Sequence, residues 1–546
     1  MTATLDRPAH SDAVPAHALA GTWQLTRLAL RRDRIVLPIW IVLLSIVPAS
    51  TVSTYEQFYP TAASRAALSA SASTNPSFAL LYGPAFDLST AGGFITWRMA
   101  GFLSVLIGLM AVFTVTRHTR AEEDSGRAEL LASAVVGRYA ALTAAALVSG
   151  GASILIGFVQ AISMAGAKLP AGGSIAFGAA TALAGLVFTA VTSIAVQLAE
   201  YSRTANGIGT ASVGIAFLLR AAGDSTTDAR WLSWLSPIGW AQQLRPFAGE
   251  RWWVLTLPIA TTLLAGTLGY LLLPRRDLGV GILPPRPGPA TAAASLRTPL
   301  ALAWRLQRGP LFGWAIGTAV GGAVFGSIAS GIGDLVGQTE QTRAIFERLG
   351  GSSALVNAFL AAMAGIFGMI VSLYGVQAAL RMRSEEILNR VEPLLATKVS
   401  RLRWAASHLI FAFLGTASLL LVAGLMLGLS NGFRSGDVGG SVSDMMLAVL
   451  VQIPATWVIA ALTVSIFGLL PKFSTAAWAV GGIALLISLL GPVVNLPQVL
   501  LDISPFQHPP KLPGQAFTVA PLLWLLVIAV VALGAGLTGW RRRDVG

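Results

Sequence analysis

A charged segment occurs twice in this chain, about 265 residues apart, each time set between long apolar runs. Arg120, Glu122, Glu123, Arg127 and Glu129 of the first copy answer to Arg383, Glu385, Glu386, Arg390 and Glu392 of the second. One inserted residue near Pro393 then brings Leu130-Leu131-Ala132 into line with Leu394-Leu395-Ala396. Three further landmarks recur in the same order. Arg31, Arg34 and Trp40 match Arg305, Arg308 and Trp314; Ser236-Pro237 matches Ser504-Pro505; Arg275-Arg276-Asp277 matches Arg542-Arg543-Asp544. Tandem halves in the same order imply a pseudo-two-fold axis along the normal of a membrane.

The solvent for such a chain is lipid. Hydrophobic residues make up 54% of it and charged residues 11%, against about 25% charged in an average soluble domain. Apolar runs near the roughly 20 residues that cross a 30 Å hydrocarbon core recur throughout. We read six spans in the first half, near 35–51, 94–116, 139–164, 174–198, 206–222 and 252–273. Six more follow, near 311–333, 356–379, 405–428, 445–469, 475–494 and 520–539. The expected fold is all-α and integral to the membrane, with twelve transmembrane helices in two tandem six-helix halves, 21–273 and 300–546. Residues 1–20 read as a disordered N-terminus, and the proline-rich stretch 274–299 as a cytoplasmic linker.

The net charge of +13 is a matter of topology rather than of nucleic-acid binding. Arginines cluster at 27–34, 117–138, 275–308, 381–403 and 541–543, whereas the loop at 52–92 holds one basic residue, Arg65. By the positive-inside rule the arginine-rich loops and both termini are cytoplasmic, which predicts a multi-pass protein of a cell membrane. In the segment ahead of the first span, Arg27, Arg31 and Arg34 fall at helical spacing with Trp23, Leu25 and Leu28 available to the other side. That pattern predicts an amphipathic helix along the inner leaflet, with Leu300 to Arg308 in the corresponding place of the second half. The connections at 223–251 and 495–519 are expected to be partly re-entrant or to lie on the surface.

Chemistry is sparse. There are no cysteines, and the histidines at 10, 17, 118, 408 and 508 show no metal-ligand spacing. No Gly-x-x-x-x-Gly-Lys-Ser/Thr loop is present, and Lys168, Lys398, Lys472 and Lys511 lie in no glycine-rich phosphate cradle. The chain is therefore not expected to be an enzyme or to hydrolyse ATP by itself. All 24 acidic residues fall in loops or at span ends, Glu200 and Asp444 lying nearest the interior. That distribution removes the usual intramembrane proton relay. Energy must then arrive from a partner, and the duplicated loop is where one would dock. Glu123 with Arg127, like Glu386 with Arg390, stands four apart with the acid first, the better order for a helical ion pair.

At these residues the chain resembles the permease subunits of ABC exporters of the type 2 membrane-domain class, also called type V exporter-like. More narrowly it is similar to the fused twelve-span permeases that export polyketide antibiotics and other drugs, the tetronasin-resistance type of high-GC Gram-positive bacteria. The resemblance covers the chain after residue 20. It implies that the two loops, Arg120 to Ser133 and Arg383 to Thr397, are coupling helices. They would contact two copies of a separate ABC ATPase, which would bind Mg-ATP, the chain itself carrying no cofactor. It implies a hydrophobic small-molecule substrate moving by alternating access along a path lined by second and fifth spans. On this chain those spans offer Phe94, Trp97, Arg98, Phe102 and Phe217, and in the second half Asn357, Phe359, Met363, Phe367 and Trp478. Arg98, whose twin position holds Ala361, either binds an anionic substrate, guards the exit or snorkels to the headgroups. Permeases of this class often carry Pro-Val-Gly/Ser-Arg after the loop; Ala134 to Arg138 and Thr397 to Arg401 lack that proline. The alternative is a secondary transporter of the major-facilitator kind, which predicts a Gly-x-x-x-Asp-Arg loop and intramembrane acids, neither of which is found.

Overall fold

The computed structural model describes residues 16–74, 76–133, 135–225, 228–283, 290–336, 351–491 and 496–543. The expected disorder before residue 16, the middle of the linker at 284–289, the last residues of the eleventh span at 492–494, and Asp544 lie outside them. The protein is an all-α, twelve-span membrane protein. Among the described residues, twelve helices are long and apolar enough to cross a membrane, and each expected span falls on one of them. The chain divides into two compact units, Met1–Pro287 and Gly288–Gly546.

In the first unit the fourth span, Ala171–Leu198, occupies the centre, touching the second, third, fifth and sixth spans. With lipid outside, little hydrophobic force drives helices together, so close backbone approach matters. Gly157 of the third span and Gly178 of the fourth meet carbonyl to Cα, and a side chain on either would collide with the other's backbone. In the second unit the tenth span, Val438–Leu469, takes the central place against the eighth and twelfth. Gly536 of the twelfth span lies on the backbone of Val464 and Ser465 in the tenth, as its twin Gly269 lies on Ser193 of the fourth.

The segments ahead of the first spans differ. In the first unit Thr22–Arg32 is a separate helix, ended by a turn at Asp33 before the span Val36–Phe58 begins. Trp23, Leu28 and Leu30 are exposed along it, with Arg27 and Arg31, while Thr26 and Ala29 are buried against the unit. In the second unit no break occurs: Pro299–Val336 is one helix running through Pro310.

At the ends opposite the arginine-rich loops, Trp231–Trp234 and Pro237–Gln243 form short helices on the first unit. The Ser236 hydroxyl donates to the Ala216 carbonyl at 2.6 Å, and Ser504 donates to the Ala484 carbonyl at 3.0 Å. Both reach back the same distance along the chain, onto the fifth and eleventh spans. The Ser-Pro repeat is thus a tether repeated in three dimensions.

Candidate functional site

The charged repeat forms a clamp, built twice. After the second span the chain turns at His118–Thr119 into a short helix, Arg120–Asp124, and then into a second, Arg127–Ala132. Gly126 separates them with φ of +70°, and its twin Asn389 has φ of +53°. Glycine and asparagine are the residues that tolerate this left-handed geometry, so the turn is the same in both copies. In the second unit the first half of the motif simply continues the span helix Gly351–Ile387, and a short helix Val391–Leu395 follows the turn.

That turn overturns the expected ion pairing. Glu123 does not pair with Arg127, nor Glu386 with Arg390, because the helix does not continue through the turn. Arg127 instead bonds Glu122 at 3.1 Å, and Arg390 approaches Glu385 at 3.9 Å. Glu123 turns inward. It accepts from Arg276 at 2.7 and 2.9 Å, from Arg120 at 2.6 Å and from the Gly279 amide at 3.1 Å. Glu386 likewise accepts from Arg543 at 2.8 Å and from Arg383 at 3.4 Å. The loop after each second span is therefore fastened to the C-terminal end of that unit's last span, by the arginine of the tail repeat. A further arginine reinforces each clamp from the start of the third span or its twin. Arg138 donates to the Pro274 carbonyl at 2.9 Å, and Arg401 to the Arg543 carbonyl at 2.6 Å.

The first copy is the more deeply set. Arg120 is fully buried, spending its remaining nitrogens on the carbonyls of Val196 at 2.7 Å and Val280 at 2.9 Å. The start of the supposed linker is thus folded against the unit, and the amides of Ile282 and Leu283 donate to Gln197 and Leu198. The first loop has two more attachments. Glu122 pairs with Arg32 of the interfacial helix, and Asp124 accepts from the Ser202 amide at 2.8 Å, where the fifth span begins. The residues in the equivalent places of the second half are Leu306 and Ile387, which can do neither.

What remains exposed is a second set of residues. Asp124, Arg127, Glu129, Leu130 and Val135 face outward in the first loop, and Ile387, Leu388, Arg390 and Glu392 in the second. The exposed leucines and isoleucine had no charge pattern to flag them, and Arg276 and Arg543 stood out only as a tail repeat.

The residues expected along a path differ in exposure within each unit. Phe94 and Trp97 are packing residues of the first unit: Phe94 lies against Tyr55 and Tyr59, and Trp97 against Phe78 and Tyr82, with its indole N–H on the Gly83 carbonyl at 3.0 Å. Trp97 borders a cleft of about 10 Å³, room for no more than a water. Phe367 is likewise buried, against Phe325 in the second unit. Arg98, Phe102 and Trp478 are exposed; Phe217, Asn357, Phe359 and Met363 are half-buried. The Arg98 guanidinium stands 5.7 Å from the Phe94 ring centre.

One buried charge was not anticipated. Arg220, at the end of the fifth span, is fully buried, donates to the carbonyls of Ala79 and Leu81 and pairs with Asp224 at 3.8 Å. It holds the last turn of the helix Pro76–Tyr82, and the Gln242 amide joins it on the Tyr82 carbonyl at 2.7 Å. Among the described residues, no cluster of acidic and histidine side chains could hold a metal ion.

Two comparisons bear on this architecture. The family model described as the C-terminal domain of multidrug efflux system permease Rv1217c matches residues 296–541. The chain is 45% identical over 544 residues to the multidrug efflux system permease protein Rv1217c of Mycobacterium tuberculosis, covering 99% of this chain and 98% of that one. The chain belongs to the family of multidrug efflux system permeases. The match to the C-terminal domain begins just before the second unit's first helix and takes in the second loop, stopping two residues short of Arg543. The full-length match spans nearly all of both units of this permease.

Proposed function

We propose that this permease is the membrane-spanning subunit of an ATP-driven exporter, working with two copies of a separate ABC ATPase that bind Mg-ATP and dock on the two loops. The observation that carries the reading is the doubled clamp. A push on either loop would be delivered to two spans at once, the second and the sixth, or the eighth and the twelfth. Because Glu122, Glu123, Glu385 and Glu386 are turned inward, contact with the ATPase falls to Glu129 and Leu130 in one loop and to Ile387, Leu388 and Glu392 in the other. The buried acids Glu123 and Glu386 transmit the motion rather than receive the partner. Orientation follows the arginine distribution, with the loops and both termini on the cytoplasmic side of a bacterial plasma membrane. That the cargo is a range of drugs follows the name of the mycobacterial relative, and that they are hydrophobic is part of the same proposal.

The test is isolation of the tagged permease from its native membranes in mild detergent, with quantitative mass spectrometry of what accompanies it. The expected result is a Walker-containing ATPase at two copies per permease. Its recovery should fall by at least tenfold when Leu130 and Leu388 are both changed to Asp. Recovery of the permease alone, with proton-dependent transport in liposomes that lack ATP, would overturn the reading.

A further inference from the structure

A cavity of about 350 Å³ lies in the first unit between the interfacial helix, the charged loop and the third span. Its walls are apolar: Leu25 and Leu28 from the helix, Leu131 and Val136 from the loop, Leu142 from the third span and Leu273 from the end of the sixth. Its polar end is formed by Arg32, Arg138, Arg276, Glu122, Glu123 and Asp277. A chamber of this size, with apolar walls and one charged end, has the form of a site for an amphiphile.

Which groups are already paired chooses its sign. Glu122 already has Arg32 and Arg127, and Glu123 already has Arg120 and Arg276. A cationic headgroup would find no free carboxylate among these two. Three arginines, 32, 138 and 276, and three carboxylates, Glu122, Glu123 and Asp277, line the cavity, and Asp277 is exposed. Arg138 offers the free donor. Only its Nη2 is engaged, on the carbonyls of Pro274 and Arg276; among the described residues its Nε and Nη1 make no hydrogen bond. A guanidinium with two free donors suits a phosphate or carboxylate. The helix forming one wall presents Trp23, Leu30, Arg27 and Arg31 outward, the composition of a segment lying at anionic headgroups.

We propose that this cavity binds an anionic amphiphile, with an acyl chain between the leucines and a phosphate or carboxylate on Arg138. Its occupant would bear directly on the Arg32–Glu122 pair that ties the interfacial helix to the loop. The site is specific to the first half, because Arg32 is replaced by Leu306 in the second. The proposal does not depend on the identity of any ATPase.

The experiment is native mass spectrometry of the purified full-length permease with phosphatidylglycerol, phosphatidylcholine, oleate or inorganic phosphate added. One phosphatidylglycerol should be retained at least tenfold more tightly than phosphatidylcholine. Ala141→Trp, which fills the cavity and removes no charge, and Arg138→Gln should each weaken retention about tenfold. Both variants should elute as monodisperse protein. The paired change Arg27→Gln and Arg31→Gln, on the outer faces of the same helix, should leave retention within twofold. Displacement of the lipid by oleate would assign the site to carboxylate-headed single chains as well as phospholipids. Equal retention of the two phospholipids, undiminished retention in Ala141→Trp, equal loss in the outer-face control, or displacement by inorganic phosphate alone would each overturn the proposal.

Discussion

The two loops of this permease share a clamp and differ in what else holds them. Glu123 and Glu386 each reach the arginine at the end of their unit's last span. The first loop is also tied to the interfacial helix through Glu122 and Arg32 and to the fifth span through Asp124. In the second, Glu385 takes its partner from its own helix, Arg381, at 2.6 Å. The same division runs into the helix junctions. Asp33, buried where the first interfacial helix ends, meets His118 at 2.6 Å and Arg117 at 3.0 Å. Its counterpart Gln307 sits within an unbroken helix, beside His408 of the ninth span. Duplication thus supplied the clamp, and divergence tied one copy to the helix Thr22–Arg32 and the fifth span while leaving the other joined to its own span helix.

The sharpest way to test that difference in depth is to cut both clamps. Glu123→Ala would strand Arg120 and Arg276, whose side chains are 0% and 5% exposed. Breaking so buried a pair costs about 3–5 kcal/mol. Glu386→Ala leaves Arg543 and Arg383 at 16% and 28% exposed, and is expected to cost about 1–3 kcal/mol, the worth of charged hydrogen bonds. Unfolding in mixed micelles measures both. Equal losses would mean that the clamps are equivalent after all.

A second contrast lies at the opposite ends of the units. Arg220→Leu leaves Asp224 buried with the Ser233 hydroxyl, at 2.6 Å, as its remaining hydrogen-bond partner. We expect a loss of about 3 kcal/mol by the same argument, together with faster proteolysis at residues 60–90, whose helix Arg220 holds. In the second unit the eleventh span carries Ser488, bonded to Ser504 at 2.7 Å. Ser488→Ala should cost about 1 kcal/mol. Unchanged proteolysis in Arg220→Leu would show that the helix is held by its other contacts.

The Ser-Pro tethers provide the matched case. Ser236→Ala and Ser504→Ala each remove a hydroxyl bonded to a carbonyl of a neighbouring span; Ser236→Ala also loses the cap on the Ile238 and Gly239 amides and Ser504→Ala the bond to Ser488, so each should cost about 1–2 kcal/mol. A difference of more than about 1 kcal/mol between them would place this repeat with the features that diverged rather than with those retained.

The spans were legible because lipid enforces a length and a composition that no other arrangement satisfies, and the halves because charges are rare enough for a repeat to stand out. Pairing within the repeat was not legible. A helical spacing assigned Arg127 to Glu123, but one left-handed residue, Gly126, reassigned it to Glu122. The partner of Glu123 stood 153 positions away, where no periodicity connects residues. Nor could aromatic residues of the second spans be sorted into lining and packing, since Phe94, Trp97 and Phe102 look alike until their neighbours are known. Arg220 escaped notice for a related reason: its counter-charge is an aspartate just beyond the apolar run and its other partners are backbone carbonyls.

The smallest effect bears most directly on the comparison. Arg32→Leu gives the first half the residue that the second has at the equivalent place, and Leu306→Arg does the reverse. The Arg32 side chain is 30% exposed and that of Glu122 12%, so the pair contributes about 0.5–1 kcal/mol rather than the several of a buried one. Arg127 remains on Glu122 at 3.1 Å to keep the acid from being stranded. Hydrogen exchange of residues 120–132 should therefore quicken by about threefold in Arg32→Leu, the kinetic equivalent of that energy. Exchange of 383–397 should not change in Leu306→Arg, because Glu385 is already held by Arg381. If the first loop were indifferent to Arg32, its link to the interfacial helix would be a contact without mechanical weight, and the asymmetry would reduce to the depth of the two clamps.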